Sequence, residues 1–379
     1  MPTEPSEFDF TPLRRRPDFE APNLVAVDAT DRLLLDEAAT SIPAAVDGAL
    51  VVIGDHYGAL TLGAAAIFGA TGIRTHQDAL TGELALAANA ETLGLVGSYE
   101  SRPLDAALVD GARVVLLQLP RSLAELDEIT DLIARHAHPE VVVFAGGRLK
   151  HMTLTMNDVL AEHFGVVNAS LSRQKSRVLV AREPKPAKDA PSWPRTDTHA
   201  DLDITVRAHG GAFAGTRIDI GTRALLDVLP EALPDATTIV DLGTGTGVLA
   251  VVTALSRPGA RILASDQSAA AVLSARATAE ANGVSDRVDV VRDDALSSVE
   301  AASVDLVLLN PPFHVDAAVE PEIAVKLFEA SARVLRTDGE VWTVFNSHLK
   351  HRDLLERIVG PTRQVTRNAK FTVTASVKR

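Results

Sequence analysis

In the second half of the chain, short apolar runs alternate with longer stretches whose apolar residues recur at helical spacing. TIVDL, from Thr238, is a short apolar run that ends in glycine-rich sequence. VLAVVTALS, from Val248, reads as a helix, and RILAS, from Arg261, as a strand. SAAAVLSARATAEANG, from Ser268, is an alanine-rich helix stopped by Asn282 and Gly283. RVDVVR, VDLVLLN and EVWTVF, from Arg287, Val304 and Glu340, are further strands. Residues 322–335 predict a helix that ends at Asp338-Gly339. RQVTRN and KFTVTASVK follow with no helix between them, which predicts an antiparallel hairpin at the sheet edge. Strands rich in β-branched residues, alternating with helices, imply a parallel sheet covered on both faces.

The first half repeats this order. VVIGDHYGALTL, from Val51, matches IVDLGTGTGVLAV, from Ile239, so that Gly54 pairs with Gly243, Gly58 with Gly247 and Leu60 with Leu249. Asp78 then matches Asp266, Gly94 matches Gly283, VVLLQLP from Val114 matches LVLLNPP from Leu306, and LKH recurs at Leu149 and Leu349. An ordered series of anchors reads as a duplicated domain, and its period is far too long for a solenoid. Between the halves lies REPKPAKDAPSWPRTD, residues 182–197, whose four prolines resist helix and central strand. The expected organisation is a first domain over 1–182, a linker over 183–197 and a second domain over 198–379. Both are α/β, Rossmann-like, with a seven-stranded mixed sheet.

Composition narrows the function classes. With no cysteine among 379 residues, disulfides and thiolate metal sites are excluded, which fits a cytoplasmic protein. No His/Asp/Glu cluster has metal-ligand spacing. The N-terminus is acidic and proline-rich, unlike a secretory signal. No apolar run approaches the roughly 20 residues that a membrane span needs. The net charge of −13 argues against a nucleic-acid binder, but its distribution is uneven. Residues 343–379 hold eight Lys/Arg against two acids, so an RNA partner stays open beside an ordinary solvated surface.

Two motifs carry chemistry. VDLGTGTG, residues 240–247, places Asp241 at a strand end, then Gly243, Gly245 and Gly247 in a turn, then a helix. Glycines allow close backbone approach and positive φ, and the helix start offers free N–H groups. The G-x-G-x-G spacing is not the dinucleotide G-x-G-x-x-G. Asp266, at the end of the next strand, offers a carboxylate to ribose hydroxyls. The second motif is NPPFH, residues 310–314, after the apolar strand VDLVLL. There the Asn310 side-chain oxygen and the Pro311 carbonyl are placed to accept both hydrogens of one planar amino group, Pro312 stiffens the turn, and Phe313 offers a stacking face. Holding both N–H bonds aims the nitrogen lone pair at a sulfonium methyl, which is catalysis by orientation.

On these residues the second half resembles a class I S-adenosylmethionine-dependent methyltransferase that modifies an exocyclic or amide nitrogen. The whole chain resembles the ribosomal RNA guanine-N2 methyltransferase family of RsmC and RlmG type, in which a degenerate methyltransferase domain precedes an active one. The likeness covers DATDRLLLDEA, AFAGTRIDIGTRALLDVLP, NPPFH and the tail HLKHRDLLERIVGPTRQVTRNAKFTV. FAGTRID departs from the family's F-S-R-x-x-L-D by losing the Ser-Arg pair. The resemblance implies that Phe213, Asp219, Gly221 and Thr222 border the cofactor. It adds Thr244, Gln267 and Ala295 from the loops that hold Gly243, Asp266 and Asp294. It gives Asp294 the adenine amino group, with Asp293 as the competing choice, and gives 310–313 the guanine; His314 reads as positioning or structural. The first copy has lost this chemistry: Val52, His56, Gln118, Leu119 and Arg121 stand opposite Asp241, Gly245, Asn310, Pro311 and Phe313. Arg148, Lys150, Arg173, Lys175, Arg177 and Arg182 are candidates there for an RNA surface. The implied partner is ribosomal RNA, naked or in an assembling subunit, for a protein expected to be monomeric and free of membrane. A protein glutamine N-methyltransferase and a non-catalytic RNA-binding assembly factor stay open as alternatives.

Overall fold

The computed structural model describes residues 8–21, 23–43, 47–187, 190–311, 320–349 and 351–379. The chain forms two compact units, Met1–Trp193 and Pro194–Arg379. No helix among the described residues is long and apolar enough to cross a membrane.

The first unit places α1 (Ala29–Glu37) before β1 (Leu50–Ile53). There follow α2 (Ala59–Phe68), β2 (Ile73–His76), α3 (Leu80–Leu93), β3 (Tyr99–Ser101), α4 (Ala106–Val109), β4 (Val114–Gln118), α5 (Leu123–His136), β5 (Val142–Arg148), α6 (Leu154–His163), β6 (Phe164–Ala169) and β7 (Ser176–Pro184). The sheet order is β3-β2-β1-β4-β5-β7-β6, parallel up to β5, with β7 antiparallel to both its neighbours. Two apolar cores cover its faces. One holds Leu34, Leu60, Leu62 and Leu86; the other holds Leu117, Leu126, Ile133 and Phe164.

The second unit opens with a two-stranded ribbon, β8 (Arg195–His199) and β9 (Ile204–Ala208), followed by α7 (Ile220–Leu226). Then come β10 (Thr238–Leu242), α8 (Val248–Ser256), β11 (Arg261–Asp266), α9 (Ala269–Ala281), β12 (Val288–Arg292), β13 (Val304–Leu309), α10 (Glu320–Val334), β14 (Leu335–Asn346), α11 (His351–Ile358), β15 (Thr362–Arg367) and β16 (Phe371–Val377). The order β12-β11-β10-β13-β14-β16-β15 repeats that of the first sheet. All six residues of β13 are buried, which is why its sequence is apolar on both faces rather than alternating; the one exception, Asp305, accepts from the Thr237 and Thr238 amides.

Some boundaries move. β7 continues to Pro184 and β8 begins at Arg195, so regular structure enters both ends of the proline-rich stretch. α10 passes directly into β14, because Leu335 already pairs with Val304; a register shift follows, with Asp338 at φ +64°. The hairpin expected at the edge is there, but β16 lies inside it, paired along its length with β14, and β15 is the edge strand.

The structure also extends the duplication to α1 and α7. Asp28 caps α1 and Asp219 caps α7, each accepting from a backbone N–H of the first turn. The two starts read DATDRLLLD and DIGTRALLD, which places Asp31 opposite Thr222.

Candidate active site

In each sheet the chain winds outward from the first long parallel strand and then returns to the other side of it. In the second unit this reversal falls between β10 and β13, and in open α/β sheets the crevice beyond such strand ends binds ligands. The Gly-rich loop leaves β10 there, and Asn310 leaves β13. The two are close: a Cβ on Gly243 would sit 3.9 Å from the Asn310 carbonyl oxygen.

The loop folds around Asp241. This side chain is wholly buried, and its Oδ2 accepts from the Thr244 hydroxyl (2.6 Å) and the Ala250 amide (3.1 Å). Its Oδ1 is buried with no partner among the described residues. Burial pushes the carboxyl up to about 7, against the pull of the bonds from Thr244 and Ala250. The Gly243 and Thr244 amides donate to the Ser265 carbonyl at 2.8 and 3.1 Å, tying the loop to β11. Gly245, at φ +54°, has open space where a Cβ would stand, so a ligand has room to approach the backbone. Gly247 is different: a Cβ there would meet the Ala275 Cα at 2.9 Å, so this glycine lets α8 approach α9.

Asp266 closes the loop from the neighbouring strand. Its Oδ2 accepts from the Gly245 amide (3.0 Å) and its Oδ1 from the Ser268 amide (3.0 Å). These two bonds orient the Asp266 carboxylate against the loop. Gln267 is exposed beside it.

The structure sorts the two candidate aspartates after β12. Asp293 is buried, and both its oxygens are taken by the amides and hydroxyls of Ser297 and Ser298. Burial opposes its ionisation, but those bonds outweigh it and hold the carboxyl below the ordinary aspartate value. Asp294 is partly exposed, and Lys326 of α10 reaches both its oxygens at 2.6 Å. Sequence reasoning missed Lys326, since nothing local marks a partner 32 residues away. Ala295 follows at φ +53°.

On the other side of the crevice, Asn310 Nδ2 donates to Thr222 Oγ1 (3.1 Å) and reaches Asp219 Oδ2 at 3.4 Å. Among the described residues, Asn310 Oδ1 is buried without a partner. At Gly221 a Cβ would stand 2.9 Å from Asp219 Oδ2 and 3.0 Å from Asn310 Oδ1, so any side chain there would push these two groups aside. Asp219, Gly221, Thr222 and Asn310 are therefore one cluster. Phe213 (57% exposed) is an apolar group open to solvent, as is Ile220 (56%) at the start of α7. Pro311 is buried; Pro312, Phe313 and His314 lie outside the described residues.

The corresponding crevice of the first unit is built differently. Val52 stands at Asp241's place, but the helix amides are held by Asp55, whose oxygens accept from Leu60 (2.7 Å) and Thr61 (2.8 Å). His56 adopts φ +59° where Gly245 adopts +54°, and so sets an imidazole where the active loop is bare. Gln118 donates to Asp31, as Asn310 does to Thr222. Burial pushes the Asp31 carboxyl up to about 8, and the nearby Asp55 adds to the rise. Arg15 stacks over Tyr57, in the loop itself, 4.5 Å from its ring centroid.

Two family models match the chain, one in each half. Residues 2–185 match the RLMG N-terminal domain family, and residues 203–375 match the methyltransferase small domain family. The chain is 35% identical to the ribosomal RNA large subunit methyltransferase G of Streptomyces avermitilis, over 97% of each chain. It is equally identical to the protein of that name from Pseudomonas paraeruginosa, covering 98% of this chain and 99% of the other. Among solved structures, the T. thermophilus 16S rRNA N2 methyltransferase RsmC, in complex with AdoMet and guanosine, superposes with a TM-score of 0.73. That match covers 93% of this chain and 92% of the other at 23% identity, and so speaks for the fold.

Proposed function

This chain belongs to the ribosomal RNA large subunit methyltransferase G family, and on that premise we propose that it methylates the exocyclic N2 of a guanine in large-subunit ribosomal RNA, with S-adenosylmethionine as donor. The observation that carries the reading is a pair of buried oxygens without partners among the described residues, Asp241 Oδ1 near the end of β10 and Asn310 Oδ1 just past the end of the adjacent β13. An unmade hydrogen bond in a buried site is costly, and such atoms at a crevice are made good by a ligand.

The residues fit the cofactor. A carboxylate oxygen at Asp241 without a partner among the described residues suits an ammonium group, the bare face of Gly245 admits a close neighbour, Asp266 sets a carboxylate beside the loop for ribose hydroxyls, and Asp294 is the acceptor for the adenine amine. When bound, S-adenosylmethionine supplies an electrophilic methyl on a sulfonium. Asn310 Oδ1 and the Pro311 carbonyl hold the two amine hydrogens, so the lone pair lies on the line of attack. No strong base is required, because the amine proton leaves after the carbon–nitrogen bond forms. A paired base cannot enter such a crevice, so the target guanine is unpaired or flipped out.

The first unit is read as a degenerate copy that serves recognition or folding. Lys150, Lys175 and Arg182 are exposed, whereas Arg173 lies 3.1 Å from Asp36. The test is methyl transfer to purified large- and small-subunit RNA, followed by nucleoside analysis. The expected product is N2-methylguanosine from the large-subunit RNA; label in protein or in another nucleoside overturns the reading. Asn310→Ala should lower the rate on the order of 100-fold or more with cofactor affinity nearly intact, and Asn310→Asp should keep partial activity.

A further inference from the structure

An asparagine amide has two faces of opposite character, and catalysis by Asn310 needs its oxygen, not its nitrogen, turned to the amine. Among the described residues, the contacts that decide which way the amide flips come from the start of α7. A carboxylate accepts and does not donate, so Asp219 Oδ2 fixes the NH2 on its own side, and Thr222 Oγ1, at 3.1 Å, gives the second N–H an acceptor. The opposite flip would set the amide oxygen against the carboxylate oxygen. With both N–H bonds engaged, Oδ1 is left buried without a partner among the described residues. Gly221 leaves the space in which this amide lies.

We propose that Thr222 is a positioning residue that, with Asp219, locks the flip state of Asn310 and so presents its oxygen to the substrate amine. Although the family resemblance sets Thr222 at the cofactor border, its hydroxyl is turned to Asn310 Nδ2, so it acts on turnover through Asn310 rather than on cofactor affinity. The first unit keeps the same device without the chemistry: Gln118 donates its amide to Asp31, the residue opposite Thr222, so anchoring of the strand-end amide by the helix start belongs to the duplicated frame. The inference rests on the role given to Asn310 under the proposed function, and its test separates the two.

In the full-length protein, Thr222→Val removes the acceptor and keeps the shape, and Thr222→Ser restores a hydroxyl. Misplacing a group at a reacting centre costs about tenfold to a hundredfold in rate, so Thr222→Val should lose that in kcat. The S-adenosylmethionine dissociation constant should stay within about twofold, and Thr222→Ser should recover most of kcat. An activity-free readout is the pair of Asn310 side-chain NH2 resonances in protein labelled with 15N-asparagine, assigned by their loss in Asn310→Ala. They should be protected from exchange in the wild type and exposed in Thr222→Val. An unchanged kcat, unchanged NH2 protection, or a loss of cofactor affinity that matches the loss of rate would overturn the inference. Protected NH2 resonances in a protein that methylates no RNA would instead sink the functional reading and leave the amide lock standing.

Discussion

Replacing Asp241 with Asn separates two roles of one buried carboxylate, and the two should move in opposite directions. Asp241 is wholly buried, and its carboxyl titrates at about 7 in the folded chain, against roughly 3.9 when unfolded. For a group with a raised folded pKa, the stability it contributes is complete below the unfolded value and is lost as pH rises through the folded one. Between pH 5 and 8 the second unit should therefore lose about 2–3 kcal/mol through this group. Asn never ionises, so the variant lacks that slope. Its carbonyl oxygen can keep the bonds from Thr244 and Ala250. At pH 8 the variant should be more stable by up to about 4 kcal/mol, three pK units at roughly 1.36 kcal/mol each. Cofactor affinity should fall, by more than about tenfold, because an NH2 donor now stands where Oδ1 was free to meet a cation. Urea unfolding followed by Trp342 fluorescence, in a Trp193→Phe background, reports the second unit alone, since the chain has two tryptophans and Trp342 is fully buried there. Calorimetry gives the affinity. A variant no more stable than wild type at pH 8, or one that keeps the wild-type slope, would refute the claim that burial strains this carboxylate. An unchanged affinity would remove Asp241 from the cofactor site.

Three further outcomes are expected. Asp266→Ala should weaken S-adenosylmethionine more than about tenfold, the loss of a charge-assisted bond worth roughly 1.5–3 kcal/mol; an unchanged dissociation constant in a folded variant refutes the ribose role. Calorimetric titration of the full chain should give one cofactor per chain, because His56 fills the first loop and both oxygens of Asp55 cap its helix; a second equivalent that survives Asp266→Ala would show the first copy to be competent. Gly247→Ala should destabilise the second unit by about 2 kcal/mol or more, since φ is +81° and the new Cβ meets Ala275 backbone at 2.9 Å; a thermal midpoint unchanged by the substitution would contradict the close approach of α8 and α9.

Much of this molecule was legible before any coordinates. Apolar periodicity identified both sheets, because strands buried on two faces must be apolar throughout and the helices that cover them on one side only. The matched glycines exposed the duplication, since positive φ leaves glycine nearly without competitors. The Gly-rich turn and the NPP turn each mark themselves, because their chemistry depends on neighbours in sequence. What sequence could not rank was burial and long-range partnership. Asp293 and Asp294 are adjacent and identical in type, and only folding hands one to Ser297 and Ser298 and the other to Lys326. Gly247 looked like its loop neighbours until α9 was seen against it. The link from Thr222 to Asn310 spans 88 residues, and hydrogen-bond geometry over that separation leaves no local trace. Residue type and spacing thus determined which chemistry the chain could hold, while tertiary packing decided which side-chain oxygens are already engaged, because burial and long-range partners exist only once the strands and helices are assembled.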